Sequence, residues 1–293
     1  MKKFFANHYA LQRKWEQRAD TFKRIFRTPS AKLGGILFTV IVLLCLFAPV
    51  VAPYNPTAMD LAHIYERPSL VHLCGTDSLG RDIFSRLLYG GRYSIALALT
   101  ADLLGQAIGV VLGSLAGYFG KNIEMIIMRL CDIWSAIPGM LLSIILSSTF
   151  GPGFFNTVLA LSIGRVPQGT RMCRGQILAE KSNEYLEAAV SINCRSSKII
   201  FSHLLPNVIS PTIVTVTMGF GRTITTAAGL SYLGLGVQPP TPEWGAMLSE
   251  GVSIFLQYPH AIFFPGLIIG LMVFAVNLMG DGLRDALDPK LRD

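Results

Sequence analysis

The sequence predicts an all-α, polytopic membrane protein with six transmembrane helices. Its 293 residues are 51% hydrophobic and only 15% charged, against roughly 25% charged in an average soluble domain. The apolar residues gather into runs long enough to cross a hydrocarbon core of about 30 Å. Lys and Arg stand beside those runs, as they do where they orient a membrane protein, and are not interleaved with aromatics on a nucleic-acid-binding face. The net charge of +7 is therefore read as topology, with the lipid bilayer as the surrounding partner and no nucleic acid.

Residues 1–32 form a polar, basic tail, and 33–54 hold the first span. Its apolar run, Leu33–Ala52, exceeds the 7–15 residues of a signal-peptide core, so an uncleaved anchor is expected. Residues 55–92 read as an extracytoplasmic loop with Pro56, Pro68 and the run Gly75-Thr76-Asp77-Ser78-Leu79-Gly80-Arg81-Asp82. That run suits a capped turn before an interfacial helix; a substrate contact and a docking surface for a binding protein stay open.

The core follows over 93–283. Its first span, Ser94–Tyr118, spaces Gly105, Gly109, Gly113 and Gly117 four apart, which puts small residues on one face for close helix packing. Ile126–Thr149 is next, with Pro138-Gly139 inside as a kink or hinge. Phe154–Arg171 is expected to project beyond the bilayer into a polar loop over 172–207. Val208–Leu235 and Ala261–Met279 close the set, separated by a stretch through Pro239, Pro240 and Pro242 that cannot be one continuous helix. A short tail over 284–293 ends the chain. Arg165, Arg171, Arg174, Lys181, Arg195 and Lys198 fall on the tail side and Arg67, Arg81, Arg86 and Arg92 on the other. That bias puts both termini and the 172–207 loop in the cytoplasm.

Within that loop, Asn183 is placed as an N-cap, with Glu184 and Glu187 in the first turn where carboxylates complement exposed N–H groups. The helix should stop near Asn193, a residue that tolerates left-handed backbone. Ser196 or Ser197 then caps a second short helix, and Pro206 follows its last turn. The chemistry-bearing residues elsewhere are sparse. The five cysteines and five histidines are scattered without zinc or redox spacing, so no metal site and no catalytic residue is expected. There is no Walker A run, so no P-loop ATP site.

The loop resembles a known element. Glu187-Ala188-Ala189, the turn at Asn193, Ile200 and Leu205-Pro206 resemble the EAA loop of ABC importer membrane subunits. Gly75-Thr76-Asp77, Leu79-Gly80-Arg81-Asp82, Ser85–Gly90, Leu230–Pro240 with Trp244-Gly245, and Gly280–Pro289 are similar to the C-type permease of the dipeptide, oligopeptide and nickel branch. The resemblance implies the type I ABC importer permease fold, in the inner membrane of a bacterium or archaeon. It also implies a homologous second permease subunit, two cytoplasmic ATP-binding subunits that hold ATP and Mg, and an extracytoplasmic solute-binding protein. Glu184, Tyr185, Glu187, Ala188, Ala189, Asn193, His203, Leu205 and Pro206 would form the ATPase-coupling loop. Di- or oligopeptides are the implied solute, with nickel or another metal chelate as the alternative. The chain departs from the family pattern at Asn193 (usually glycine), Arg222 (usually small or apolar), Ala227 (usually glutamate) and Val166 (commonly tryptophan).

Arg222 lies near the middle of its span, where insertion of an arginine costs about 2.5–3.5 kcal/mol, so a lipid-facing position is disfavoured. Two readings remain open: a cation on the translocation path for a carboxylate-bearing solute, or an ion pair with Asp102. An ion-coupled secondary transporter would need intramembrane carboxylates and internal repeats. Only Asp102 and Asp132 are candidates for the first, and no repeat is visible. A non-transporting scaffold would not require the loop.

Overall fold

The computed structural model describes residues 28–287. The basic tail up to residue 27 and the Asp288-Pro289 end lie outside the described residues. Every extended element among the described residues is helical. Helix α1 (Pro29–Leu46) starts on a proline, whose missing N–H would be unpaired there anyway. After Phe47 the short α2 (Ala48–Val51) continues it. Helix α3 (Ile83–Phe119) is 37 residues long, about 55 Å. It begins well before the expected Ser94 because the Asp82 carboxylate caps it, accepting from the Ser85 N–H at 2.7 Å. The cap rather than the apolar window fixes the start, so Ile83–Arg92 of the expected outer loop is helix.

The expected third span is two helices, α4 (Lys121–Ser135) and α5 (Gly139–Phe150), which meet at 83°. Pro138 sits between them in extended backbone (φ −53°, ψ 129°). The correction is from a kink to a break, because proline disfavours helical backbone in the residue before it and lacks an N–H. Helix α6 (Phe154–Lys181) runs unbroken from the expected fourth span into the polar loop. Next come α7 (Glu184–Ser191) and α8 (Ser196–Ile199), then a π-helical turn Ile200–Leu204 and α9 (Leu205–Tyr232). Helix α10 (Trp244–Val252) occupies part of the proline-rich connection, and α11 (His260–Leu287) completes the chain.

Among the described residues three helices, α1, α3 and α11, are long and apolar enough to cross a membrane, or up to 5 spans with the two bent pairs. Helix α6 is long enough too but carries Arg165, Arg171, Arg174, Glu180 and Lys181. The six expected rods are present, and composition alone supports fewer than six as spans. Helix α9 keeps its threonines compatible with an apolar setting by donating their hydroxyls to carbonyls one turn back: Thr212 to Val208, Thr217 to Ile213, Thr226 to Arg222.

The glycine stripe of α3 is a packing device. A Cβ at Gly105 would lie 2.6 Å from the Ser162 carbonyl, at Gly113 2.6 Å from the Cys173 Cβ, and at Gly117 2.7 Å from the Ile177 Cβ. All three neighbours are on α6, so the two backbones meet where any side chain would hold them apart. A second core gathers α1, α3, α9, α10 and α11 around Trp244, Met272 and Phe220. Trp244 is fully buried, its indole N–H donating to the Leu87 carbonyl at 2.9 Å.

The turn before α3 is a charged latch. Asp77 accepts the Leu79 and Arg81 N–H groups at 2.8 and 3.0 Å and the Arg81 Nε at 2.7 Å, and it pairs with Arg86. Both guanidinium groups reach on to Glu250 of α10, at 3.2 Å from Arg81 and 2.9 Å from Arg86. The Gly-Thr-Asp and Leu-Gly-Arg-Asp run is thus committed to structure: its charges are internally neutralised, and they pin the turn to α10.

Candidate functional site

The segment 184–207 is a preformed element on one end of the helix bundle. Helix α7 is amphipathic over two turns: Leu186 and Ala189 are buried, while Glu184, Glu187, Ala188 and Ser191 are exposed along the opposite, i, i+3, i+4 face. Asn183 stands at the N-cap position in extended backbone (φ −81°, ψ 139°), but its side chain makes no cap hydrogen bond.

Asn193 ends the helix as expected, at φ +54°. Its N–H donates to the Val190 carbonyl at 2.9 Å, and the Cys194 N–H reaches the Ala189 carbonyl at 3.1 Å. These are the two bonds of a Schellman motif, with Asn193 in the left-handed position that usually takes glycine. The accompanying apolar contact is present too, since Ala189 and Cys194 share one cluster.

Beyond the turn the expectation needs correcting. Arg195, not Ser196 or Ser197, is the N-cap, and Pro206 lies in the first turn of α9 rather than after the end of a separate helix. The second short helix continues through the π-helical turn into α9, with a 53° bend between Ile209 and Pro211. Proline inside a helix removes a hydrogen bond and clashes with the preceding turn, which accounts for the bend. The loop is therefore joined rigidly to a long helix.

Two sets of contacts anchor it. Leu186, Ala189, Ile199, Ile200, Leu204 and Val208 pack with Cys173 and Ile177 of α6, and Leu205, Val110 and Tyr118 close the edges. A polar triangle adds direction. Tyr185 donates to the Glu180 carboxylate, and Asn207 donates to Glu180 at 2.8 Å and to the Tyr185 hydroxyl at 2.9 Å. Burial, then the bond to Glu180, pushes the Tyr185 phenol above its ordinary pKa and keeps it a donor at neutral pH. His203 lies near Tyr185, ring centroids 6.4 Å apart. Lys181 donates to the Tyr118 carbonyl at 2.8 Å, tying the end of α6 to α3. Glu180 and Asn207 were missed in the sequence, although both lie within the same polar stretch. The outer face carries solvent-exposed apolar side chains, Ile192 at 80% and Phe201 at 70%, rimmed by Glu184, Glu187, Arg195 and Lys198.

The second expected pair does not form. Asp102 is bound by Arg165 of α6, at 2.7 Å from Nε and 2.6 Å from Nη2, and accepts from Thr223 Oγ1 at 3.3 Å. Arg165 thus belongs inside the bundle rather than among the loop residues. Gly219 makes room, because a Cβ there would collide with the guanidinium. Arg222, the neighbour of Thr223, faces a cleft of about 400 Å³ between α5, α6 and α9. The estimated depth mismatch between Asp102 and Arg222 disappears because α3 starts earlier than Ser94. Arg165 simply occupies the carboxylate first. Ala227 and Val166, two other departures from the family pattern, are buried in packing rather than in this cleft.

Residues 109–293 match the model of the binding-protein-dependent transport system inner membrane component family, and 16–68 match that of the N-terminal TM domain of oligopeptide transport permease C. The chain belongs to the first of these families. A glutathione transport system permease protein of Pectobacterium atrosepticum is 44% identical over 93% of this chain and 91% of its own. A dipeptide transport system permease of Alkalihalophilus pseudofirmus is 39% identical over 93% and 90%. A di/tripeptide transport system permease of Pseudomonas aeruginosa is 41% identical over 93% and 92%. In fold, the chain matches a subunit of the inward-facing MetNI methionine ABC transporter with a TM-score of 0.58, at 17% identity over 70% of this chain and 98% of that one. This permease is an inner-membrane transport component with the ABC importer permease fold.

Proposed function

We propose that the chain is a membrane-spanning subunit of an ATP-driven importer of short peptides, moved by ATPase subunits that dock on 184–207. The observation that carries this is the construction of that segment. Its inner face is locked to α6 and α9 by packing and by the Glu180–Tyr185–Asn207 triangle. Its outer face offers exposed apolar and charged side chains. An element so built transmits a push to the long helices instead of absorbing it.

Two cytoplasmic ATP-binding subunits, carrying ATP and Mg, would supply that push. A homologous second permease subunit would complete the pathway, and an extracytoplasmic binding protein would deliver solute. The chain itself performs no covalent chemistry. Arg174, Lys181, Arg195 and Lys198 at the docking end support its cytoplasmic placement, with both termini on the same side. Relatives named for dipeptide, di/tripeptide and glutathione transport support peptides as the cargo. ATP binding closes the ATPase pair, the segment moves with it, and the helices re-expose the pathway.

The test is Glu187→Lys, on the exposed face of α7. Co-purification of the ATPase subunits and peptide uptake should both fall severalfold. Unchanged co-purification and uptake would remove the docking role.

A further inference from the structure

The cleft beside Arg222 has a lopsided charge. Arg165 and Arg222 both line it, and no acidic side chain does. The nearest carboxylate, Asp102, is 1% exposed and already held by Arg165 and Thr223. Arg165 is thereby neutralised, whereas the Arg222 guanidinium is exposed and has no side-chain partner among the described residues. A cation placed there without a partner is disfavoured unless the cleft is wet or receives an anion.

The rest of the lining suits a small polar occupant. Ser143 and Thr226 spend their hydroxyl protons on carbonyls of their own helices, Gly139 and Arg222, leaving oxygen lone pairs toward the cleft. Gln168 accepts from Arg165 at 3.3 Å, which leaves its amide N–H groups as donors. A Cβ at Gly139 would meet nothing within 4 Å, so the wall is open at that point. The volume of about 400 Å³ falls within the range of small-molecule sites. A zwitterionic peptide could pair its carboxylate but would find no anion for its ammonium. A solute with surplus negative charge matches better.

We propose that this cleft receives net-anionic short peptides, with Arg222 contacting a solute carboxylate. The assignment rests on the importer reading above. Arg222 would be a specificity-determining residue for that transport. A planar guanidinium can hold a carboxylate through two parallel hydrogen bonds. Hydrogen bonds to a charged partner of this kind correspond to about 10- to 100-fold in binding.

The test uses the complete transporter, with its ATPase subunits and binding protein, in proteoliposomes. The probes are the isosteric dipeptides Ala-Glu and Ala-Gln, compared in wild type, Arg222→Gln and Arg222→Lys. The same binding protein delivers both probes to every variant, so the change in the Ala-Glu to Ala-Gln uptake ratio isolates the permease. Arg222→Gln should lower that ratio at least about 10-fold, and Arg222→Lys should restore much of it. Equal loss of both peptides, or no change in the ratio, overturns the proposal. A wild-type complex that imports neither dipeptide, nor any other peptide its binding protein holds, overturns the importer reading and this assignment with it.

Discussion

Replacing Asn193 by valine should uncouple the transporter while leaving the helix bundle intact. Asn193 is held at φ +54°, a region that costs an ordinary L residue roughly 1–2 kcal/mol and a β-branched one more. Asparagine bears less of this because its side chain tolerates the conformation. The difference between Asn and Val is therefore about 2 kcal/mol, or about 30-fold in the population of the closed turn. The Schellman bonds at 2.9 and 3.1 Å open together, and the end of α7 loses its fixed position over α6. The assay is peptide uptake and ATP hydrolysis by equal amounts of purified complex in proteoliposomes. Asn193→Val should cut uptake per ATP hydrolysed about 10-fold or more, whereas Asn193→Gly should stay near wild type. Full uptake in the valine variant would show that the turn does not need left-handed backbone, and the rigid-transmission reasoning would fail.

Two further changes probe the frame around the site. Gly113→Val should lower the yield of monodisperse complex and its melting temperature, because the new Cβ meets the Thr170 carbonyl and Cys173 Cβ at 2.6 Å and overpacking costs about 1–3 kcal/mol. Gly175→Ala, where nothing lies within 4 Å, is the control and should be neutral. Asp102→Leu leaves Arg165 buried without its carboxylate, a loss of about 3–5 kcal/mol. The double variant with Arg165→Met should recover a large part of that in a thermal melt, and a double variant no better than the single would mean the pair does not act as a unit.

Much of the fold was legible because apolar length and glycine spacing are direct consequences of bilayer thickness and helix packing. The stripe Gly105–Gly117 announced a close helix neighbour, although only the structure identifies it as α6. The limits of the helices were less legible. An apolar window marks where lipid contact ends, whereas Asp82 and Pro138 mark where hydrogen bonding begins and breaks. Asp82 lies before the apolar run of α3 and Pro138 inside that of the expected third span.

In the candidate site, the positive φ of Asn193 was readable from residue chemistry, and the apolar face of α7 from its spacing. The triangle of Glu180, Tyr185 and Asn207 was not, because it depends on α6 and α9 meeting at that end. The partner of Asp102 was likewise a question of which arginine arrives first. Arg165 had been counted with the loop charges, although an arginine midway along a long helix posed the same problem as Arg222.

The central claim is that 184–207 is the surface that the ATPase subunits push. Ile192 is the most exposed apolar side chain of the segment, next to the turn at Asn193. A photo-crosslinking amino acid at position 192, irradiated in native membranes, reads the contact directly. The account predicts a covalent adduct with an ATPase subunit whose yield changes when ATP is added. Irradiation that gives no such adduct, in membranes where the complex is active in peptide uptake, would contradict it.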